Sequence, residues 1–372
     1  MFKRIVLVLV ESDDLVFLPN VSDCLEEYWE SEKVKVLIIA ASKTGGGHGR
    51  MLAYRDFLLS RNHTVSLIQI PGASFSEKLW YYYTRGLARL GGHEKRHMKK
   101  TADLMEKRIN EGHYDVVIGV ETVWSYVLTR DLGCLKIFSC ESLEADELYF
   151  SKRFSDLNQV HSVREMELET IKKSDYVIFP WKTTENYVRR YIYDGDNFVT
   201  IKYGCYPKSK KASYFFPPAI VSLGNIGWYW SNRDLLSYLN RISPYVIDCY
   251  GDYRPPKKYG INYKGFAKST EVVLNYQFGL NTVSKDAFRC NHHASRILTY
   301  LSFGLPVLSP DWLQFSHEVK GVLPFNEENF LNVVEDNSDR DQWEMLSKEA
   351  HEQARELDWN IVLQPLEKII CK

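Results

Sequence analysis

Apolar runs alternate with polar stretches along the chain, and this pattern predicts strands separated by helices. The clearest strand covers residues 34–41, a nearly unbroken apolar run typical of a strand buried on both faces of a parallel sheet. Helices are predicted at 51–60, 163–173 and 183–191. The predicted strands are residues 5–10, 34–41, 64–68, 115–121, 135–141, 176–179, 198–204, 219–225, 245–251, 261–266 and 305–308. Strands that alternate with helices indicate an α/β protein.

A polar, basic segment divides these strands into two groups. Residues 207–213 read PKSKKAS and are the most linker-like part of the chain. We therefore expect an N-terminal Rossmann-like domain over residues 1–206, a linker over 207–218 and a second Rossmann-like domain over 219–340. Helices are expected over residues 341–372.

A glycine-rich loop directly follows the strand at 34–41. Residues 42–50 read SKTGGGHGR and lead into the helix predicted at 51–60. Strand, glycine loop and helix form the first unit of a Rossmann-like domain. The loop is not GxGxxG and lacks the Gly-Lys-Ser/Thr ending of a P-loop, so it indicates dinucleotide or P-loop binding only weakly.

Residues 291–310 predict a helix that begins beside a loop with two histidines. Ser295 is a suitable N-cap, Gly304 suits the left-handed position that ends a helix, and a short apolar strand follows, closed by Pro310. Arg296 then lies in the first turn, where free N–H groups and the helix dipole favour an anion such as a diphosphate. The alternative is an ordinary helix–turn–strand of an α/β domain.

Composition narrows the classes of function. The chain has 372 residues, 45% of them hydrophobic, which suffices for two domains, and its net charge of −1 argues against wholesale nucleic-acid binding. Its 24 Tyr and 9 Trp suit a protein that contacts carbohydrate or an interface. No apolar run approaches the roughly 18 residues of a transmembrane helix. The opening residues MFKRIVLVLVESDD predict a strand rather than a signal peptide.

The seven cysteines indicate neither a disulfide framework nor a zinc ribbon, because no CxxC pair is present. They favour a reduced, cytoplasmic compartment. Cys290, His292 and His293 are close in sequence, but adjacent histidines point apart on most backbones and no fourth ligand has suitable spacing. We therefore predict no metal site.

Aromatic and basic side chains cluster in residues 78–100. Trp80 and the tyrosines at 81–83 precede a stretch rich in Lys and Arg. Such a segment can dock on an anionic membrane surface, which predicts a peripheral location on the inner face of a membrane. An ordinary solvated amphipathic helix is the alternative.

The stretch at 294–307 resembles the donor-site helix of GT-B fold glycosyltransferases. Their pattern is Ser-x-Lys-hydrophobic-x-x-Tyr-x-x-x-Gly-x-Pro-Val, and the chain reads SRILTY at 295–300 and GLPV at 304–307. It is similar to family 4 enzymes of the xanthan glucuronosyltransferase type, with Arg296 in place of the usual Lys, which keeps the charge but changes its geometry. Residues 174–178, 201–204, 223–226 and 250–251 resemble other GT-B segments in the same order.

The resemblance implies two Rossmann-like domains whose parallel sheets face each other across a cleft, with Trp359 in a tail that crosses back to the first domain. It implies a nucleotide-sugar donor, a UDP- or GDP-sugar, and no further cofactor. The donor residues it implies are Gly224, Asn225, Tyr250, Gly251, Phe266, His293, Ser295, Arg296 and Thr299. Residues 44–48 also resemble the acceptor loop of glycolipid synthases such as monogalactosyldiacylglycerol synthase. The acceptor residues implied are Gly46, Gly47, Glu144 and Trp80.

We therefore expect a hexosyltransferase that moves a sugar from its nucleotide to a lipid-linked or surface-glycan acceptor, in polysaccharide or glycolipid biosynthesis. A catalytically silent GT-B-like subunit that binds a glycan or a partner enzyme, and a GT-B nucleotide-sugar epimerase, are the alternatives. Many retaining relatives carry two glutamates at the positions occupied here by His292 and Thr299, so the sequence favours inversion.

Inversion needs a general base, and three candidates lie at strand ends or in the glycine loop: Glu141, His48 and Glu121. Glu141 ends an apolar strand, where partial desolvation would raise its pKa, and it is preferred over His48. A purely structural glutamate is the alternative at this position.

Overall fold

The computed structural model of the protein describes residues 33–41, 46–70, 94–121, 124–150, 157–224, 232–251 and 253–372. The strand predicted at 5–10, Trp80 and the tyrosines at 81–83 lie outside these ranges, as does Asn225. Within the described ranges the chain forms two parallel sheets of six strands, each with helices packed around it. The predicted α/β fold with two Rossmann-like sheets is confirmed.

The first sheet has the strand order β2-β1-β3-β4-β5-β6, and all of its pairings are parallel. Its strands are β1 Lys35–Ala41, β2 Thr64–Ile70, β3 Val116–Val120, β4 Leu135–Ser139, β5 Tyr176–Phe179 and β6 Phe198–Thr200. The connecting helices are α1 Gly46–Ser60, α2 Glu94–Gly112, a 3-10 helix Trp124–Thr129, α3 Glu144–Phe150, α4 Leu157–Lys173 and α5 Lys182–Tyr191.

The second sheet has the order β12-β11-β10-β7-β8-β9, again with parallel pairings. Its strands are β7 Ala219–Leu223, β8 Val246–Tyr250, β9 Asn262–Gly265, β10 Phe278–Leu280, β11 Val307–Pro310 and β12 Val322–Phe325. The helices are α6 Arg233–Ile242, α7 Ser295–Ser302, α8 Phe315–Glu318, α9 Phe330–Asp336, α10 Arg340–Glu356, α11 Trp359–Val362 and α12 Gln364–Ile370.

Strand β1 is buried on both faces, as its apolar sequence predicts. Val36 and Ile38 belong to one hydrophobic core, and Leu37 and Ile39 belong to another on the opposite face. Because successive side chains of a strand point to opposite faces, a continuous apolar run is what two cores require. The first of these cores continues through the second sheet, so apolar packing joins the two halves of the chain.

The helical part of the segment at 78–100 packs against the first sheet. Met98, Met105 and Ile109 on α2 are buried in the core, while Lys99 and Lys100 are exposed. This is the pattern of an amphipathic helix whose apolar face is occupied within the protein. Membrane docking by residues 78–93 stays a prediction, since they lie outside the described ranges.

Several boundaries differ from the sequence-based expectation. The helix predicted at 51–60 begins at Gly46, inside the predicted glycine loop, and the strand predicted at 198–204 ends at Thr200. The strand predicted at 305–308 begins only at Val307, because the Leu305 N–H still donates to the Tyr300 carbonyl at the end of α7. Gly304 has the predicted left-handed conformation, with φ of 65°. Ser295 is the first residue of α7 rather than its N-cap, which is Ala294.

The chain passes between the two sheets twice, at neighbouring places. Cys205 forms a parallel bridge with Asp358, and helices α11 and α12 return toward the first sheet. There the Trp359 ring packs edge-on against Tyr203, 4.9 Å between centroids, and lies 5.7 Å from the Arg50 guanidinium carbon. A Cβ at Gly204 would lie 2.8 Å from the Trp359 ring, so glycine permits this approach.

We expect Trp359→Ala to lower the free energy of unfolding by about 3–5 kcal/mol, because it empties a fully packed site. Trp359 is 4% exposed, whereas Ile361 on the same short helix is 52% exposed. Ile361→Ala is therefore the matched control, with a change within about 0.5 kcal/mol. Urea unfolding measures both, and equal midpoints for the two variants would contradict the packing described.

Candidate active site

Each sheet has one place where its strand order reverses, called the topological switch point. Ligands of open α/β sheets bind there, outside the carboxyl ends of the strands. In the first sheet this point lies between β1 and β3, and in the second between β7 and β10. Glu121 follows β3, and α1 begins at Gly46 after β1. Gly224 follows β7. The predicted residues at 46–47, 121 and 224 therefore lie at the two switch points.

Glu121 lies in a tight and strained position. Its φ of 69° places a non-glycine residue in the left-handed region, which costs roughly 1–2 kcal/mol. The Ser125 hydroxyl donates to its carbonyl at 2.5 Å, and its own N–H donates to the Ser139 carbonyl at 3.2 Å. A Cβ at Gly47 would lie 2.2 Å from Oε1 of Glu121, so only glycine lets the carboxyl group approach the first turn of α1.

The pKa of Glu121 is raised to about 8. Burial is the main cause, because it disfavours the charged form, and the negative charges of Glu147 and Glu141 act in the same direction. A carboxyl group with this pKa exchanges its proton near neutral pH, as a general acid or base must.

Glu141 follows β4, the strand beside β3 in the sheet, but its environment differs from that of Glu121. Its Oε1 lies 3.0 Å from Nε of Arg50 and accepts a hydrogen bond of 2.7 Å from the Ser139 hydroxyl. The residue is 4% exposed. Burial raises its pKa, while Arg50 and the Ser139 hydroxyl oppose that effect.

Arg50 is a member of this site that the sequence analysis did not identify. It is fully buried on α1, and it donates to the Tyr54 hydroxyl and to the Ile201 carbonyl, both at 2.8 Å. Its guanidinium carbon lies 5.2 Å from the Tyr54 ring and 5.9 Å from the Tyr203 ring. The spacing of Arg50 and Tyr54, four residues apart on a helix, is the only sequence signal for this cluster.

Of the other residues predicted in the first domain, His48 lies half-buried on α1. Its Nδ1 is buried and has no hydrogen-bond partner among the described residues. Glu144 begins α3, three residues after Glu141. Both lie near the carboxyl ends of β1 and β4, and their roles toward an acceptor stay predictions.

Helix α7 begins without a side-chain cap. Its N-cap is Ala294, which makes no side-chain hydrogen bond, whereas Asn232 caps α6 and Asp339 caps α10 through their side chains. The N-cap side chain thus makes no hydrogen bond to the first turn of α7, where the helix dipole favours an anion.

The Arg296 guanidinium lies against Gly224. A Cβ at Gly224 would lie 2.7 Å from Nη2 of Arg296, and the φ of 111° at Gly224 also requires glycine. Burial lowers the pKa of Arg296 because it disfavours the charged form, and a bound anion beside the guanidinium would stabilise that form. The structure thus brings Gly224, Ser295 and Arg296 together at the second switch point.

Tyr250, Gly251 and Phe266 lie at the neighbouring strand ends. The Gly224 N–H donates to the Tyr250 carbonyl at 2.9 Å, and the Gly251 N–H donates to the Gly265 carbonyl at 3.0 Å. Phe266 is 70% exposed, which is unusual for a phenylalanine beside a sheet edge and leaves its ring free to stack. Thr299 lies one turn along α7 and donates to the Ser295 carbonyl at 3.4 Å.

His292 and His293 lie between the two halves of the site. The His293 ring stacks on Tyr203 and on His292, with centroids 4.6 and 4.5 Å apart. Burial lowers the pKa of His293 well below its ordinary value, so its ring is neutral at neutral pH. Within the ranges described, no three His, Cys, Asp or Glu side chains are arranged to hold a metal ion.

None of the helices in the described ranges combines the length and the apolar character that crossing a membrane requires.

Comparisons with known proteins identify the fold. No family model and no curated protein matches the chain. Sucrose-phosphate synthase from Thermosynechococcus elongatus superposes with a TM-score of 0.64 and 12% identity, over 91% of this chain and 98% of that one. Anabaena HepE in complex with UDP and glucose gives 0.57 and 12%, over 91% and 99%. The chain has the GT-B fold.

A glycosyltransferase from Rickettsia africae is similar as well, with a TM-score of 0.60 and 12% identity over 91% of this chain and 98% of that one. The predicted resemblance to GT-B enzymes is therefore confirmed at the level of the fold. The GT-B fold also explains why two switch points are present, since each of its Rossmann-like sheets supplies one.

Glu121 should make stability depend on pH. Its pKa is near 4.5 in the unfolded chain and about 8 in the folded protein. Between these values the folded state holds a proton that the unfolded state has lost, so stability falls as pH rises, by about 1.4 kcal/mol per pH unit. Urea unfolding from pH 5 to 8 should show that Glu121→Gln removes this part of the slope. Parallel curves for the two proteins would contradict the raised pKa.

Proposed function

We propose that the protein is a glycosyltransferase that moves a sugar from a nucleotide-sugar donor to a hydroxyl group of an acceptor. The observation that carries the proposal is the uncapped start of α7, with Arg296 packed against Gly224 at the second switch point. The GT-B fold supports it, and the HepE structure, which holds UDP and glucose, suggests a UDP-sugar as the first donor to test. A GDP-sugar is the alternative donor.

The donor's diphosphate would bind at the start of α7. The N–H groups of the first turn and the Arg296 guanidinium supply hydrogen bonds and positive charge, and Gly224 lets the phosphates approach the end of β7. The exposed Phe266 ring and Tyr250 at the neighbouring strand ends offer apolar surface for the nucleobase. No metal is required by this arrangement, because helix and guanidinium provide the positive charge.

Glu121 is the general base that we propose in preference to Glu141. As the bond between the sugar's anomeric carbon and the diphosphate breaks, the acceptor oxygen forms its bond to that carbon and passes its proton to the carboxylate. The diphosphate leaves with the electron pair of the broken bond. Glu121 suits this role because its pKa is about 8 and no cation is among the groups that shift it. Glu141 is held in a buried ion pair with Arg50.

We propose that the reaction inverts the anomeric configuration. The two positions at which many retaining GT-B enzymes carry glutamates hold His292 and Thr299, and both side chains make hydrogen bonds to nearby main-chain oxygens. Neither can supply a second carboxylate. The acceptor we propose is a lipid-linked or surface-glycan hydroxyl.

The function is tested by incubating the protein with UDP-sugars and glycan or glycolipid acceptors and recording proton NMR spectra of the fresh product. Transfer with inverted anomeric configuration is expected. Retention would overturn the mechanism, isomerised free donor would identify an epimerase, and no turnover of any UDP- or GDP-sugar would favour a silent binding subunit.

Arg296→Ala should weaken UDP binding about tenfold to a hundredfold by calorimetry. A charge-assisted hydrogen bond contributes roughly 1.5–3 kcal/mol, and each 1.4 kcal/mol is about a factor of ten in affinity. Arg241→Ala is the matched control, because Arg241 is exposed in the last turn of α6 in the same domain. If both variants bound UDP like the unaltered protein, the phosphates would have to bind elsewhere.

Loss of the base should lower kcat by about 10²–10⁴ while donor affinity changes little. We expect this for Glu121→Gln, and we expect kcat/KM of the unaltered protein to rise with pH and level off above about 8, because only the deprotonated carboxylate accepts a proton. Glu111→Gln, at an exposed site on α2, is the control. Near-normal turnover of Glu121→Gln, with a large loss in Glu141→Gln or His48→Ala, would assign the base to one of those residues.

A further inference from the structure

A short segment ahead of α7, Phe288 to His293, is bound to the first domain from several sides. The hydroxyl groups of Thr183 and Thr184 on α5 both donate to the Asn291 carbonyl, at 2.8 and 3.0 Å. The Phe288 ring packs against Tyr187 of the same helix, with 5.8 Å between centroids. The segment leads directly into α7, so the first domain holds the segment on which the start of the donor helix depends.

His292 is the fifth of the six residues in this segment, and each of its ring nitrogens faces a main-chain oxygen. Nε2 lies 2.7 Å from the carbonyl oxygen of Glu141 in the first domain, and Nδ1 lies 2.6 Å from the carbonyl oxygen of His293. The ring is buried between Phe288 and His293, with centroids 5.2 and 4.5 Å away. The contact of Nε2 joins the two domains, whereas the contact of Nδ1 lies within the segment itself.

The neutral ring can make only one of these two hydrogen bonds as a donor. Burial lowers the pKa of His292, and Arg289 acts in the same direction, while Asp286 and the two carbonyl oxygens oppose them. At neutral pH the ring therefore carries one N–H, and which nitrogen carries it decides whether the bond crosses between the domains. We infer that the proton is on Nε2 and that His292 is a positioning residue, whose hydrogen bond to the Glu141 carbonyl holds the donor helix against the first domain.

The consequence reaches both halves of the proposed active site. The Glu141 side chain is fixed by Arg50 on α1, and the first turn of the same helix carries Gly47 against Glu121. On the other side, Ser295 begins α7 three residues after His292. Without the His292 bond the start of α7 loses a contact with the end of β4, although Thr183 and Thr184 still bind the Asn291 carbonyl. The nucleotide site within the second domain stays intact. The effect of this bond on sugar transfer rests on the proposed function, whereas the contact between the domains does not.

Two substitutions separate the two contacts of the ring. A glutamine amide nitrogen reaches approximately to the place of Nε2, and an asparagine amide nitrogen reaches approximately to that of Nδ1. His292→Gln should therefore keep the bond to Glu141, whereas His292→Asn should keep only the contact to His293. Amide hydrogen exchange of the full chain should be faster in residues 288–298 of His292→Asn than in the unaltered protein, and unchanged in His292→Gln. Calorimetry should give UDP affinities within about twofold of each other for all three proteins.

Equal exchange rates in the asparagine and glutamine variants would overturn the inference, because the bond between domains would then not depend on Nε2. A direct measurement covers the case in which a variant does not fold. Nitrogen NMR of the unaltered protein with labelled histidine reports which ring nitrogen carries the proton, and a proton on Nδ1 of His292 would equally overturn the inference. Neither measurement needs a substrate, so the inference can fail while transfer is observed, and it can hold if no transfer is found.

Discussion

The arrangement of the cleft depends on the buried ion pair between Arg50 and Glu141. Burying two charges costs several kcal/mol for each ion, and the cost is offset only where geometry is good and further hydrogen bonds surround the pair. Tyr54, Ser139 and the Ile201 carbonyl supply those bonds here. Helix α1 and the ends of β4 and β6 are therefore held in one arrangement, and the positions of both proposed substrate sites follow from it.

Arg50 also explains why two adjacent strands present carboxyl groups of different character. At Glu141 the arginine opposes the effect of burial, whereas at Glu121 burial and the neighbouring carboxylates act in the same direction. Both carboxyl groups have a raised pKa, but only Glu141 has a cation beside it that opposes the effect of burial. This difference is electrostatic, and it needs no difference in residue type.

Much of the fold could be predicted from the sequence, because long apolar runs such as residues 34–41 leave few alternatives to a buried strand. The strands β10 and β12 were not predicted, because each is a short apolar run interrupted by a strand-breaking residue, Gly279 or Pro324. At the site, Glu121 and Glu141 followed from their places at strand ends, and the donor residues followed from the resemblance to GT-B enzymes. Arg50 did not, because a buried and a solvated arginine on a helix look the same in sequence, and its carbonyl partner Ile201 lies 151 residues away.

The two passages of the chain between domains lie side by side and are hydrogen-bonded to each other. The Cys205 N–H donates to the Leu357 carbonyl at 2.9 Å, and the Trp359 N–H donates to the Cys205 carbonyl at 3.1 Å. The segment that follows Cys205 is hydrogen-bonded to the end of α7 through the N–H groups of Lys208 and Ala212, so it belongs with the second domain. Two adjacent crossings define a line, and rotation of one domain about that line is the relative motion that the two connections restrict least. The covalent path between the domains therefore has the geometry of a hinge with a single axis.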